Sequence, residues 1–335
     1  MVKNKFSFVM PMVVNHRNNS DGSSDLDRFV KIQLPTFRKF LKIEDLHKFY
    51  IVSPKKDLEI IEKRLSAEFP EFPYEYVDEL ELLPQLKTFP LNQVTVHPGW
   101  MIQIMSKVSI ADRIETEHYM TFETDLFLTK PFGYENLFND DGKLICSHFT
   151  EFENCPTKDK WHLHATALLF KGEIDSFNLH KDNKNEIVDG ELKINKVMGV
   201  SPNFFITKEM MNVRNWLEEN YKDTIKQIGE DANYMDLLIR CTNGHPETWV
   251  EYTLYWMWLY KIGKMDEYYS FKEPYVCWNE LFTFNYRQGY GDKYFGEFDT
   301  HIMKNPQHYF NLVQSNLTHL KIEDIVDKIK PHLED

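Results

Sequence analysis

The chain has 335 residues, of which 42% are hydrophobic and 15% aromatic, so it holds enough apolar surface for a substantial folded core. Its 39 basic and 52 acidic side chains give a net charge of -13, which argues against a general nucleic-acid surface but not against a local phosphate pocket. The four cysteines lack C-x-x-C spacing, which excludes a zinc ribbon or a dithiol redox motif. No apolar run approaches the roughly 18 to 20 residues that span a bilayer. We therefore expect a soluble, cytoplasmic protein.

The first third of the sequence alternates between strand and helix patterns. Strands are predicted at Phe6–Val14, His47–Val52 and Phe72–Val77, and helices at Leu26–Phe40, interrupted by Pro35, and at Lys56–Phe69. This alternation is typical of an α/β fold with a parallel sheet covered on both faces. Ligands of such sheets bind beyond the carboxyl ends of the strands, and four polar residues follow strands here: Asn15, Arg17, Asp78 and Glu79.

An acidic pair follows the next predicted strand, Tyr119–Phe122. Glu123 and Asp125 are separated only by Thr124, so their side chains can point the same way on an extended chain. Two carboxylates at the edge of a sheet suit a hard cation such as Mg²⁺ or Mn²⁺, which could hold a diphosphate. The alternative is a surface loop with solvated acids, because a short motif is weak by itself.

A helix is predicted from Trp100 to about Asp112, after Pro98 and Gly99. Its apolar positions form a core face, while Trp100, Gln103 and Lys107 share another face at spacings of three and four. Lys107 could thus contact a phosphate. It could equally be a solvated lysine.

The segment Trp161–Phe170 is predicted to be a strand with His162 and His164 on one face. The pair could bind a metal or a substrate, but no matching Cys or Asp spacing accompanies it, so we favour a structural or hydrogen-bonding role. Helices are predicted at Lys208–Asn220 and Asp223–Arg240, and a last one at Ile322–Ile329.

The segment Pro246–Tyr260 is rich in aromatic residues, and Glu251 lies among Trp249, Tyr252, Tyr255 and Trp256. Burial among aromatic rings would raise the pKa of a carboxyl group and fit it for proton transfer. Aromatic rings also stack against the apolar C–H faces of sugars. The alternative is a core helix with a single exposed acid.

These motifs together resemble glycosyltransferases of the GT-A type, in the nucleotide-diphospho-sugar transferase superfamily. More specifically, the chain resembles bacterial and viral proteins that carry three motifs. These are a G-W-x-x-Q helix with a lysine, a strand ending in an acidic pair, and a later S-E-Y-x-x-Y-like segment. The matching positions are Gly99, Trp100, Gln103 and Lys107, then Glu123-Thr124-Asp125, then Glu251, Tyr252 and Tyr255. The resemblance implies a Rossmann-type, mostly parallel central sheet flanked by helices. It implies one domain over 1–335, with a nucleotide-sugar-binding half at about 1–132 and an aromatic-rich acceptor half at about 133–335.

The resemblance also implies roles for individual residues. Asp125 and Glu123 would bind Mn²⁺ or Mg²⁺ together with a late histidine, His319 or else His301. The donor, a UDP or GDP sugar, would be bound by Asn15, Arg17, Asp78, Glu79, Gln103, Lys107, Glu123 and Thr124. In an inverting enzyme Glu251, or else Asp231, would take the proton of the acceptor hydroxyl, whereas a retaining enzyme could work without such a base.

Two departures from the family pattern stand in this sequence. Glu123 replaces the usual first aspartate of D-x-D, and it reaches farther, so direct metal ligation is better supported for Asp125. Val250 replaces the serine that usually precedes Glu251.

Two other functions remain open. A sugar nucleotidyltransferase would have a similar sheet, but the loop after the first strand, NHRNNSDGSSD, lacks the Gly and Lys density that cradles a triphosphate. A non-catalytic carbohydrate-binding protein would use the aromatic surface alone.

Overall fold

The computed structural model describes most of the chain, and every structural statement below concerns that part. The described residues are 1–14, 24–93, 95, 97–146, 149–151, 162–163, 165–167, 169–170, 196–198, 202–242, 249–271, 309–312 and 321–334. Asn15, Arg17, His301 and His319, four of the predicted site residues, lie outside them, as does His164.

The strands form one larger sheet and three small ribbons. In chain order the strands are β1 Val2–Pro11, β2 Leu46–Ser53, β3 Tyr74–Asp78, β4 Thr116–Thr121, β5 Leu126–Leu128, β6 Leu144–Ile145, β7 Phe149–Glu151, β8 Lys196–Met198, β9 Asn203–Ile206, β10 Tyr269–Ser270 and β11 Phe310–Leu312. The larger sheet has five strands in the order β3-β2-β1-β4-β9. Strands β1 to β4 pair in parallel, and β9 pairs antiparallel with β4. The predicted α/β fold with a mostly parallel central sheet flanked by helices is confirmed.

The described helices are α1 Asp25–Arg28, α2 Leu34–Phe40, α3 Lys55–Glu68, α4 Glu79–Leu82, α5 Pro98–Ser109, α6 Thr207–Asn220, α7 Lys222–Ile228, α8 Tyr234–Arg240, α9 Glu251–Lys261, α10 Met265–Tyr268 and α11 Ile322–Ile329. Pro35 lies in the first turn of α2, after a π-helical turn at Phe29–Gln33, so the predicted helix continues past the proline with a change in its hydrogen-bonding pattern. Within the described helices, none is long and apolar enough to cross a membrane.

Helices cover both faces of the sheet. On one face, Phe37 of α2 packs against Phe8 of β1 with ring centroids 5.6 Å apart. On the other, the Tyr119 hydroxyl of β4 donates to the Lys107 carbonyl of α5 at 3.1 Å, and Tyr255 of α9 packs edge-on against Phe205 of β9. Alternate residues of β4 therefore face different helices, as expected for an extended strand.

One sequence-based prediction of secondary structure is wrong. The segment around Trp161–Phe170 was expected to be a strand, but its described residues, 162–163, 165–167 and 169–170, are helical. The Thr166 hydroxyl donates to the His162 carbonyl, four residues earlier, at 2.7 Å. Apolar runs of this length are ambiguous between buried helix and strand, and tertiary packing decided in favour of helix.

The predicted helix Asp223–Arg240 is divided into α7 and α8. The Gly229 N–H donates to the Ile225 carbonyl at 3.3 Å where α7 ends. The Asn233 side chain then begins α8 by accepting from the Met235 N–H at 2.8 Å. Gly and Asn are residues that end and cap helices, so the break follows from local sequence.

A cluster of phenylalanines supports the end of β4. The ring of Phe122 meets that of Phe8 edge-to-face at 4.4 Å and that of Phe37 at 5.7 Å, and Phe8 meets Phe49 at 5.4 Å. Edge-to-face pairs of this kind add to the stabilisation from burial. Because Phe122 directly precedes Glu123, this packing fixes the backbone that carries the acidic pair.

We expect Phe122→Ala to lower the free energy of unfolding by about 3 to 5 kcal/mol, because it opens a cavity in this cluster. Urea denaturation measures the change. The control is Ile60→Ala, whose side chain is 51% exposed on α3 and whose loss should cost less than about 1 kcal/mol. Equal effects of the two substitutions would contradict the supporting role of the cluster.

Candidate functional site

The acidic pair lies at the carboxyl edge of the sheet. The Phe122 N–H still donates to the Val9 carbonyl of β1 at 2.9 Å, and the Leu126 N–H donates back to the Glu123 carbonyl at 3.3 Å. Glu123 to Asp125 thus form a tight turn between β4 and β5, which we call the acidic turn. Thr124 and Asp125 are buried, and Glu123 is half-buried with 41% of its side chain exposed.

Lys107 joins three separate elements at this edge. Its ammonium Nζ lies 3.2 Å from Glu123 Oε1 in the acidic turn and 3.0 Å from Glu251 Oε1 at the start of α9. Lys107 and Glu251 are 2% and 3% exposed. We call these three residues the lysine cluster. The structure therefore brings together three residues that the sequence singled out for different tasks.

The charges in the lysine cluster are strongly coupled. Burial by itself lowers the pKa of the Lys107 ammonium, but Glu251 and Glu123 outweigh burial, so the pKa lies above its ordinary value. Lys107 is thus protonated at neutral pH. Breaking a buried ion pair by removing one partner is costly, because it leaves an uncompensated charge in the interior.

The start of α9 is adapted to hold Glu251. Glu251 is the first residue of the helix, where the helix dipole favours a negative charge. The Val250 N–H donates to the Thr253 hydroxyl at 3.2 Å, so Thr253 satisfies a backbone group at this helix end. The valine that departs from the family pattern is compatible with a well-formed helix start.

A second buried cation contacts the acidic turn. Arg28 Nε of α1 lies 3.1 Å from Asp125 Oδ1, with side-chain exposures of 0% and 9%. Gln33 Nε2, from the π-helical turn, donates to the Glu123 carbonyl at 3.3 Å. Elements on both faces of the sheet therefore fix the acidic turn, and each of its carboxylates has a cationic neighbour.

The acidic turn fits a divalent cation in donor type, because carboxylate oxygens are the ligands that Mg²⁺ and Mn²⁺ prefer. Within the described part of the chain, no three His, Cys, Asp or Glu side chains form a group able to hold a metal. A cation at the acidic turn would need ligands besides Asp125 and Glu123, from other residues or from a bound ligand. His319 is the predicted third ligand and lies outside the described residues.

Other predicted donor-binding residues lie along the same edge or on the same helix. Asp78 ends β3, and its Oδ1 accepts from the Leu80 N–H at 3.1 Å, so it also caps α4. Burial, helped by the negative charges of Asp78 and Asp57, raises the pKa of Glu79 to about 6. Gln103 is half-buried on α5, one helical turn before Lys107.

Asp231, the second candidate base, lies exposed between α7 and α8. Of the two predicted histidines, only one lies in the described part of the chain. His162 is buried with its ring 5.5 Å from that of Trp100, and His164 is outside the described residues.

Arg28 and Gln33 were not foreseen as site residues. Both are fully buried, although they lie in a segment that reads as an ordinary amphipathic helix. A single basic residue in such a helix is usually solvated or paired along the helix, so its sequence carries no signal of a partner 97 residues away.

The family and a solved structure can now be compared with this geometry. The sequence matches, over residues 3–335, a family model described as a family of unknown function, DUF6492, and the chain belongs to that family. No curated protein matches the sequence. Among solved structures, the apo form of mouse xyloside xylosyltransferase 1 is similar at 13% identity and a TM-score of 0.46, covering 94% of this chain and 99% of that one. A likeness at this level does not identify an activity.

We expect Lys107→Met to lower the free energy of unfolding by about 3 to 5 kcal/mol, because Glu251 loses its buried counter-ion. Glu251→Gln should cost less, since Lys107 keeps Glu123. The double variant should cost less than the sum, with a coupling above about 1 kcal/mol in urea denaturation. If the two single substitutions have additive effects on the free energy of unfolding, the ion pair is contradicted. Lys226→Met, at an exposed position, is the control for the loss of a lysine.

The same variants test the charge of Lys107 by pH. The folded-state pKa of Lys107 lies above its ordinary value of 10.5, so its stabilising effect is complete below pH 10.5. That effect is lost as the pH rises through the folded-state pKa. The stability difference between wild type and Lys107→Met should therefore be constant near neutrality and shrink in strong alkali.

Proposed function

We propose that this member of the DUF6492 family is a glycosyltransferase that moves a sugar from a nucleotide-diphosphate donor to a hydroxyl acceptor. The observation that carries the proposal is the meeting of an acidic turn, a buried lysine and a buried carboxylate at the carboxyl edge of a mostly parallel sheet. This edge is where open α/β sheets bind ligands. The motif resemblance to GT-A enzymes supports the same reading.

The donor side of the proposal rests on the acidic turn. Asp125 and Glu123, with His319, would hold Mn²⁺ or Mg²⁺, and the cation would offset negative charge on the departing nucleoside diphosphate. Arg28 and Lys107 hold the two carboxylates in place through their ion pairs.

The acceptor side of the proposal rests on Glu251. A carboxylate beside the acceptor hydroxyl takes its proton in an inverting reaction. Lys107 fixes one oxygen of Glu251, and in this proposal the other oxygen, Oε2, takes the acceptor proton. The same helix carries buried aromatic residues, among them Tyr252 and Trp256, in the part of the chain that we assign to the acceptor.

Asp125→Asn tests the donor site, because the substitution removes the charge but keeps the size of the side chain. We expect the rate of sugar transfer to fall by about 100-fold or more, which is typical for the loss of one group that stabilises developing charge. Release of nucleoside diphosphate from UDP, GDP and CMP sugars, with Mn²⁺ and with chelator, measures this. The control is Asp140→Asn, at an exposed loop position. Unchanged metal-dependent transfer by Asp125→Asn would remove the metal proposal. If wild-type transfer persists in chelator, protein cations alone stabilise the departing diphosphate.

Glu251→Gln tests the acceptor side. Turnover should fall by about 100-fold or more, the contribution of a general base, while the donor still binds. A thermal-shift titration with the nucleoside diphosphate and Mn²⁺ measures donor binding, since a ligand of the folded state raises the melting temperature. Near-normal turnover would mean that another group accepts the proton of the acceptor hydroxyl, or that the reaction is retaining.

The same titration separates the alternatives. Metal-dependent binding of a nucleoside diphosphate supports a transferase. Preference for a nucleoside triphosphate supports a nucleotidyltransferase, and binding of glycans without nucleotides supports a carbohydrate-binding protein.

A further inference from the structure

A cavity opens at the other end of β4, away from the acidic turn. It has a volume of about 350 Å³, which lies at the lower end of the range for small-molecule sites, about 300 to 1,000 Å³. His118, near the start of β4, and Ile206, at the end of β9, lie in its wall. We call it the histidine cavity. Five residues of extended chain, about 16 to 17 Å at roughly 3.3 Å per residue, separate His118 from Glu123.

Aromatic rings surround His118 in this cavity. The His118 ring meets Phe138 edge-to-face at 5.3 Å and lies 6.3 Å from Tyr134. Tyr268 lines the same space. Such rings offer apolar faces to a ligand, as in sites that stack against the C–H faces of sugars.

The His118 side chain is prepared to hydrogen-bond a ligand. It is 6% exposed, and its Nδ1 has no hydrogen-bond partner among the residues that the structure describes. Burial lowers the pKa of His118, and the opposing effect of Glu117 is smaller, so the ring is neutral at pH 7. A neutral imidazole has one donor and one acceptor nitrogen.

Two carboxylates of the wall, Glu209 and Glu267, already have protein partners. Glu209 accepts hydrogen bonds from Trp258 Nε1 at 3.0 Å, from the Tyr268 hydroxyl at 3.2 Å and from Asn212 Nδ2 at 3.1 Å. Glu267 forms an ion pair with Lys264. The oxygens of Glu209 are thus occupied by protein donors, and the charge of Glu267 is offset by Lys264.

The remaining charged side chains of the wall are of opposite sign. Glu117 offers an acceptor, and Lys208 offers donors; both are exposed. Together with the neutral His118 they match a ligand that carries hydroxyl groups rather than a net charge. The aromatic faces match a ligand with an apolar side.

We propose that the histidine cavity binds a neutral sugar, as a monosaccharide or as one unit of a longer glycan. The site is separate from the proposed transfer site, and the inference holds whether or not the chain is a transferase. His118 projects from the opposite face of β4 to Tyr119, which faces α5 and the lysine cluster. A sugar at His118 therefore contacts none of the residues assigned to transfer.

Saturation-transfer NMR with the intact chain tests this site, using glucose, galactose, mannose, xylose and N-acetylglucosamine as probes and choline as a cationic probe. We expect at least one sugar to receive saturation, and its affinity to fall at least about tenfold in Tyr134→Ala, which removes a stacking face. The matched control is Tyr76→Ala, a half-buried tyrosine on the far edge strand β3, which should leave the signal unchanged.

Two further arms distinguish the sources of a signal. Saturating UDP and GDP with Mn²⁺ should not displace the sugar; displacement would mean that the sugar occupies the transfer site, and this would overturn the proposal. Should Tyr134→Ala fail to fold by circular dichroism, Glu117→Gln at the exposed rim replaces it, again with reduced affinity expected. A signal from choline alone, or from no probe, would also overturn the proposal.

Discussion

The buried ammonium of Lys107 is the constraint on which the rest of the site depends. A charge inside the protein must be paired, and Lys107 is paired with two carboxylates from distant parts of the chain, Glu123 and Glu251. These contacts hold α5, the acidic turn and α9 in one arrangement. The Tyr119 hydroxyl donates to the Lys107 carbonyl and ties the same helix turn to β4. The position of each acid is thereby coupled to the others.

The apolar core supplies the rigidity that this electrostatic arrangement needs. Phe122 is packed among phenylalanines of β1, β2 and α2, and the next residue begins the acidic turn. An ion pair stabilises a fold most when its partners are already held in place, because the entropy lost in ordering flexible side chains offsets the Coulomb attraction. Packing on one face of the sheet thus supports ion pairing on the other.

The sequence predicted the parallel strands because their apolar runs, separated by helical patterns, admit few other arrangements. It predicted the acidic pair at a strand end, and it singled out Lys107 and Glu251, but not their contact. Spacing along α5 places Lys107 on a face without identifying what meets that face, and α9 begins 144 residues later. Arg28 was missed for the same reason. The antiparallel β9 and the helix around His162 depend on long-range packing, which the hydrophobic periodicity of the sequence does not report.

The two ends of β4 carry different chemistry because a strand has two faces and two ends. Tyr119 faces α5 on the side of the lysine cluster, whereas His118 and Phe122 face the other side. At the carboxyl end, the buried cations Arg28 and Lys107 are paired with the acids of the turn and of α9. At the amino end, the interior holds a neutral imidazole among rings, and the buried Glu209 accepts hydrogen bonds from Trp258 and Tyr268. Because these groups lie at opposite ends of β4, one sheet presents ion-paired charges at one edge and a neutral imidazole at the other.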